Sequence, residues 1–382
     1  MSSNFKRIVG LSAAFATALN GTMFMPLIVL ALSRVPGISE STATAVASAE
    51  IGGIALYCLL LPRLVQRAHF AVALGGVLAL VCGELATHWA DGIAALTVAR
   101  LLAGLGEGAL FSLITADVAA EPEAERIWGQ INLVGGVCMG CLLYALSTLP
   151  PVEGRGNLFL WIAAFAAVLS PLVFMIRPKA ASDKPAATPL SLPKSQIALI
   201  LLVVVLVYAV QAGQWAVSGY MGESSHIAPA TVGLYLALSS IIGFAGAIVP
   251  ALTRNPAHRL RYVALGYLIM GAALYTFFNL AGEPAFLTGQ ILVNVGFYMV
   301  TPFMTGLLTE NDPDGALVMR TLILAMVGAG AGTALAGELF VDGGPRTFSV
   351  AIIGVVAVAW VCAIRVFHSA GSNQSARAAA AA

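Results

Sequence analysis

The sequence contains few charged residues for its length. Asp, Glu, Lys and Arg make up only 10% of its 382 residues, whereas hydrophobic residues make up 59%. An ordinary soluble domain has roughly 25% charged residues. A soluble protein this poor in charge could not cover its surface with polar groups, so the composition predicts a membrane protein. The formal net charge of +1 does not indicate a nucleic-acid partner, and we expect none.

Several catalytic signatures are also missing. The sequence has no GxxxxGK[ST] phosphate-binding loop, which disfavours an ATP-driven pump, and it has no hydrolase signature. All five cysteines lie in apolar runs, and we interpret the CxxC pair Cys138 and Cys141 as small packing residues. We therefore expect no enzyme activity, no cofactor and no bound metal.

Long uncharged runs fill most of the chain. A run of ~20 apolar residues crosses a hydrocarbon core of ~30 Å as a helix, whereas a barrel would show short alternating segments. The sequence therefore predicts an all-α membrane protein with twelve transmembrane helices. The predicted spans are 8–32, 43–62, 70–90, 94–117, 127–148, 157–176, 196–220, 230–252, 262–281, 286–309, 317–340 and 347–367.

The longest polar stretch divides these spans into two sets of six. Residues 177–195 are rich in Pro, Ser and Lys, as is typical of a flexible linker. We predict an N-terminal half at 1–176, a cytoplasmic linker at 177–195, a C-terminal half at 196–368 and a disordered tail at 369–382. Fifteen Lys and Arg residues fall on the side of the N-terminus, and only Arg34, Arg155 and Arg346 fall on the other. By the positive-inside rule, both termini are cytoplasmic.

The fourth span carries the most specific motif, LTVARLLAGLGEGA, in which Arg100 is followed by Gly104, Gly106 and Gly108. It resembles the fourth-helix motif of the major facilitator superfamily. The opening segment ALNGTMFMPLIVLAL resembles first helices of the superfamily's drug/proton antiporter (AraJ-like) branch. The resemblance implies two six-helix halves around a central solute site.

Two segments depart from the pattern of that family. The loop after the second span reads LLPRLVQRAHF, which retains Arg63 and Arg67 but lacks the usual acidic residue. The fifth span reads LVGGVCMGCLL, without the proline that antiporters usually have there. The first departure weakens the expected cytoplasmic charge latch, and the second weakens the case for export.

Four ionisable residues fall well inside predicted spans: Glu50, Glu84, Arg100 and Glu107. A charge at membrane depth costs ~2.5–3.5 kcal/mol on insertion scales, so it needs a partner or a function. Arg100 and Glu107 share a helix face, and Glu50 is at a depth similar to that of Arg100. We predict that Arg100 controls proton binding by Glu50 or Glu107; the alternative is a static ion pair. Glu84 and His88 are more simply explained as a packing or interfacial pair.

Polar and aromatic residues recur at helical spacing in both halves. The family resemblance places the solute site where spans one, four, seven and ten face each other. Amides and aromatic rings around an apolar pocket suit a small amphiphilic or aromatic solute, although interhelical hydrogen bonding is the alternative. The predicted solute-binding residues are Asn20, Phe24, Phe111, Tyr208, Gln211, Gln214, Trp215, Gln290, Asn294 and Tyr298.

These patterns together predict a monomeric secondary transporter in a bacterial inner membrane, in contact with lipids, a small solute and protons. Proton-coupled efflux by antiport is the first hypothesis. Proton-coupled uptake of an organic acid or other metabolite is the second, with Arg100 then binding a substrate carboxylate. A non-transporting membrane receptor or assembly module on the same fold is the third.

Overall fold

The computed structural model describes residues 3–119, 124–149, 156–176, 192–253, 255, 258–309 and 316–381. Within these ranges the regular structure is helical, without any β-strand. A short 3-10 helix, Phe244–Ala247, lies between α12 and α13. The α-helices are α1 (Ser3–Ala18), α2 (Asn20–Met23), α3 (Met25–Ser33), α4 (Glu40–Leu60), α5 (Pro62–Arg67), α6 (His69–Trp89), α7 (Ile93–Ala119), α8 (Ala124–Ser147), α9 (Leu158–Val173), α10 (Lys194–Ala216), α11 (Ser218–Ser224), α12 (Pro229–Gly243), α13 (Ile248–Leu252), α14 (Arg259–Asn279), α15 (Glu283–Thr309) and α16 (Ala316–Ala381).

Many of these helices could cross a membrane. Among the described residues, eight helical stretches are long and apolar enough, and two shorter apolar helices accompany them. The prediction of an all-helical membrane protein is thereby confirmed, while the count of twelve spans and their orientation stay predictions. The longest stretch, within α16, contains Gly344 at a φ of 76°, followed by Pro345. This kink lies between the last two predicted spans. Helix α16 continues to Ala381, over the tail for which the composition predicts disorder.

The chain forms two compact units. The first contains residues 1–185 together with 212–237 and 333–341, and the second contains 186–211, 238–332 and 342–382. Two segments of the predicted C-terminal half therefore cluster with the N-terminal residues. Most of the predicted linker, 177–195, lies outside the described residues.

Helix α7 packs closely against both α4 and α6 in the first unit. A Cβ atom added to Gly53 on α4 would lie 2.5 Å from the carbonyl oxygen of Leu101 on α7. Gly104 lies against the backbone of Glu50, and Gly106 against the backbone of Leu80 on α6. Small residues on α7 thus let two neighbouring helices approach on two faces. This close packing holds the polar side chains of the three helices within reach of one another.

Two helical runs are interrupted. The first predicted span consists of α1, α2 and α3, with breaks at Leu19 and Phe24, and the seventh changes from α10 to α11 at Val217. The first and seventh spans occupy corresponding positions in the two predicted halves. Interruptions at such positions are typical of transporters that bind a solute at unwound backbone near the bilayer midplane.

An ion pair joins α1 and α7 at the end of the first unit that carries the N-terminus. Arg7 donates from Nε to Oδ2 of Asp117 at 2.8 Å and from Nη2 to the same oxygen at 2.5 Å. Asp117 is nearly fully buried. The loop LLPRLVQRAHF, which lacks the acidic residue expected from the family, lies on the same side of the first unit as Asp117.

Candidate functional site

Arg100 lies at the centre of a buried charge cluster in the first unit. Its side chain is fully buried, as are those of Glu50 and Glu84. Nη1 donates to Oε2 of Glu84 at 2.9 Å, and Nη2 donates to Oε2 of Glu50. The guanidinium carbon also lies 5.3 Å from the ring centroid of Phe159 on α9, in cation–π contact. One arginine of α7 therefore binds carboxylates from α4 and α6.

Glu107 joins this cluster through the first helix break. Its Oε1 accepts a hydrogen bond of 2.7 Å from the backbone N–H of Gly21, and its Oε2 has no hydrogen-bond partner. Gly21 also lies directly against the carboxyl group of Glu50, because an added Cβ would overlap that group. Any larger residue at this position would displace the Glu50 carboxyl group, since the backbone runs between the two carboxyl groups. The break at Leu19 therefore places a backbone donor in the cluster.

The cluster contains three carboxyl groups and one guanidinium group. If all were ionised, two negative charges would remain uncompensated among fully buried side chains. Such an excess is costly in a low-dielectric interior, and among the described residues Arg100 is the cation that pairs with these carboxyl groups. Oε1 of Glu50 and Oε1 of Glu84 have no hydrogen-bond partner either. The arrangement therefore has the chemistry to bind and release protons.

The structure corrects the interpretation of Glu84. It is not an interfacial residue, because its side chain is fully buried and ion-paired with Arg100. Helices α6 and α7 are antiparallel neighbours joined by a short turn, and Glu84 and Arg100 lie at similar distances from that turn. These similar distances can be read from the sequence, and they predict that Glu84 and Arg100 lie at the same level on neighbouring helices. Gly21 and Phe159 also escaped the sequence analysis, because neither carries a charge.

The structure pairs Arg100 with Glu50, one of the two predicted partners. Glu107, the other predicted partner, lies on the same helix as Arg100 and about two turns away from it. Its carboxyl group is hydrogen-bonded to Gly21 instead. Their seven-residue spacing corresponds to a rise of about 10 Å.

Five of the predicted solute-binding residues belong to the first unit. Asn20 is fully buried beside the cluster, and both polar atoms of its side chain lack hydrogen-bond partners. Trp215 donates from its indole N–H to the carbonyl of Met23 at 3.3 Å, so it touches the second break of the first span. The other three are buried: Phe24, Phe111 and Gln214.

The remaining five belong to the second unit. Gln211 donates from Nε2 to Oδ1 of Asn294 at 2.7 Å, which joins two of the predicted residues directly. The Tyr208 ring packs edge-on against Phe297, with centroids 5.1 Å apart. Tyr298 packs against Phe244 at 4.5 Å, and Gln290 is fully buried. Gln211 and Asn294 thus form an amide patch that joins the seventh and tenth predicted spans in this unit.

The described residues contain no group of three or more His, Cys, Asp or Glu side chains arranged to hold a metal ion.

Residues 10–318 match the family profile of the Major Facilitator Superfamily, which is most of the chain. The chain belongs to this superfamily. As a member of the superfamily, it is a secondary transporter rather than an enzyme. A search of curated protein sequences gives no significant match.

Solved structures of superfamily transporters share the fold. A bacterial homologue of the human lysosomal transporter Spinster, solved inward-facing and unoccupied, superposes with a TM-score of 0.70 at 14% identity, over 97% of this chain and 99% of that one. The human organic anion transporter MFSD10 gives 0.66 at 14% identity, over 95% of this chain and 100% of that one. A peptide transporter, POT, gives 0.70 at 14% identity, over 95% and 94%. At these identities the likeness establishes the fold alone.

Proposed function

We propose that this superfamily member moves a small amphiphilic or aromatic solute by alternating access, coupled to protons, and that it exports the solute by antiport. The observation that carries the proposal is the buried cluster of Glu50, Glu84, Glu107 and one arginine, Arg100. Three carboxyl groups around a single guanidinium group favour the uptake of protons, because each proton removes part of the excess negative charge.

The position of the cluster supports coupling between protons and solute. Glu107 binds the backbone at Gly21, next to the fully buried Asn20, and Trp215 contacts the same broken span at Met23. A change in the charge of Glu107 alters its hydrogen bond with Gly21, and therefore the conformation of the segment that would contact a solute. Proton binding and solute binding thus act on the same short stretch, α2.

Contacts of α11 support the alternating-access part of the proposal. Gly219 packs against α3, where an added Cβ would lie 2.6 Å from Cδ1 of Leu30. Arg34, which follows α3, and Glu223, within α11, form an exposed ion pair of 2.9 Å. Alternating access requires contacts such as those between α3 and α11 to open. The free-energy cost of opening them is small where the packing residue is glycine and the ion pair is exposed to water.

Vesicles test the direction of transport. Candidate solutes are first chosen by thermal-shift screening of the purified protein against hydrophobic amines, aromatic acids and sugars. In inside-out membrane vesicles, antiport predicts that the solute accumulates in the lumen when the lumen is acidified, because protons then leave as solute enters. Uptake by symport predicts the reverse, with accumulation only when the bath is the acidic side. If no solute stabilises or crosses the membrane, the non-transporting hypothesis replaces this one.

The solved relatives give no cargo for this chain. The transporters of similar fold are described as carriers of organic anions, peptides and, for a bacterial one at a TM-score of 0.64, a metal. Because these chemistries differ, the cargo proposal rests on the chain's own amide and aromatic residues. The neutral amide patch in the second unit and the aromatic residues in the first suit a partly apolar molecule with hydrogen-bonding groups.

A further inference from the structure

His88 lies one helical turn from the charge cluster, at the end of α6. It follows Glu84 by four residues, so the two side chains are on the same face of the helix, about 6 Å apart along its axis. His88 is half-buried, and its ring contacts the exposed Trp89 edge-on, with centroids 5.1 Å apart. The imidazole therefore lies between the protein surface and Glu84.

Both facing groups have an unused hydrogen-bonding atom. Nδ1 of His88 is covered and has no hydrogen-bond partner, and Oε1 of Glu84 is covered and has none. These two atoms are not bonded to each other in this conformation. A rotation of either side chain, or one water molecule, would complete a hydrogen-bonded connection between them.

The contacting groups form a continuous series from the end of α6 to the break in the first predicted span. Glu84 binds Arg100, Arg100 binds Glu50, and the Glu50 carboxyl lies against Gly21, which binds Glu107. His88 extends this series of groups to the end of α6. That end is opposite the one marked by the Arg7–Asp117 pair, because α6 runs antiparallel to α7.

We propose that His88 is the proton port of the cluster: it takes a proton from the solution at the end of α6 and passes it from its ring to Oε1 of Glu84. In this step the neutral imidazole takes up a proton at Nε2 and becomes an imidazolium, which releases the proton on Nδ1 to the Glu84 carboxylate. The ring is then neutral again, and proton exchange with solvent water restores its starting tautomer. Histidine suits this role because its ring has two nitrogens, so that it can accept a proton at one and release a proton from the other. The inference rests on the proposed proton coupling, for which it supplies a route separate from the solute-binding segment at α2.

Among the residues that the structure describes, few other charges lie on the helices that pack against the end of α6 that carries His88. Helix α6 packs mainly against α7 and α9 and touches α5 at its opposite end. Among the described residues, α9 has no titratable side chain, and the part of α7 beside the end of α6 has none before Arg100. Asp91, in the turn after α6, is the nearest acidic residue in sequence.

Infrared spectroscopy tests the port without knowledge of the solute. Right-side-out proteoliposomes with a strongly buffered lumen receive an external drop in pH, and the rise of the protonated-carboxyl band is followed in time. His88→Gln is expected to slow this rise on the order of a hundredfold, the scale of a lost acid–base group, while the final amplitude stays unchanged. His88→Ala should behave alike and recover when imidazole is added. The matched control is His258→Gln, an exposed histidine in the second unit.

The outcomes separate the two proposals. Suppose that the wild-type band rises and Glu84→Gln removes part of it, but His88→Gln leaves the rate unchanged. The proposal that His88 is the proton port is then wrong, whereas the proposal that the cluster binds protons stands. If no carboxyl band appears in the wild type between pH 5 and pH 9, the proton-binding function itself is wrong. A reduced final amplitude in His88→Gln, without a slower rise, would show a merely structural role and would also overturn the port.

Discussion

Among the residues that the structure describes, Arg100 is the only cation in contact with the carboxyl groups of Glu50 and Glu84. Both terminal nitrogens of its guanidinium group donate to carboxylates on different helices, and its flat face lies over Phe159. Lysine cannot reproduce this, because its single ammonium group lacks the planar fork. The geometry of the cluster therefore depends on this one side chain.

Removal of the guanidinium group should destabilise the protein strongly. We expect Arg100→Ala to lower the free energy of unfolding by about 3–5 kcal/mol, because it leaves buried carboxylates without their cation. The loss should shrink as the pH falls, since protonated carboxyl groups no longer need a counter-charge. Thermal unfolding of the purified variant at several pH values measures this effect.

Arg34→Ala provides the control for that measurement. Arg34 forms an ion pair whose two side chains are 42% and 47% exposed, and such surface pairs contribute only about 0–1 kcal/mol. Equal unfolding temperatures for the Arg100 and Arg34 variants would contradict the account of the cluster.

At the scale of helices, glycine positions determine how closely α4 and α7 approach. Gly53 and Gly52 are neighbours on α4, yet only Gly53 faces α7, and nothing lies within 4 Å of a Cβ placed on Gly52. Gly53→Ala should therefore cost about 1–3 kcal/mol through overpacking. Gly52→Ala should be neutral or stabilising by up to about 1 kcal/mol, because alanine favours the helix. Unfolding in one detergent at one pH compares them, and similar costs for the two would refute the close-packing argument.

The sequence predicted the helices more completely than it predicted their interruptions. Apolar runs mark where helices lie, and equal depth correctly placed Glu50 beside Arg100. The breaks at Leu19 and Val217 were not predicted, because both residues are apolar and lie inside predicted spans. Glu84 was misinterpreted because it was judged by its distance from the helix end and not by its level relative to Arg100 on the neighbouring helix.

The polar residues show the same limit. Spacing placed Gln211 and Asn294 each on the polar side of its span, and the family resemblance implied that these sides face each other. The structure joins the two residues by a hydrogen bond of 2.7 Å. Spacing cannot show which backbone group a carboxylate will bind, so the contact between Glu107 and Gly21 required coordinates. The roles of these residues in binding a solute remain predictions.

At the scale of the whole molecule, membership of the superfamily establishes a secondary transporter, whereas coupling depends on this chain's own residues. The cluster lies entirely within the first unit. Our proposal therefore places proton binding in the first unit, and the amide patch of the second unit contributes to solute binding. In this arrangement, loss of a cluster carboxyl group should uncouple transport from protons without preventing solute movement.

The most direct test measures solute accumulation driven by a pH gradient in proteoliposomes, alongside exchange of labelled for unlabelled solute without a gradient. We predict that Glu50→Gln and Glu107→Gln each abolish accumulation while exchange continues, whereas Glu40→Gln, an exposed residue at the start of the same helix as Glu50, retains both. Gradient-driven accumulation at the wild-type level in both cluster variants would contradict the account.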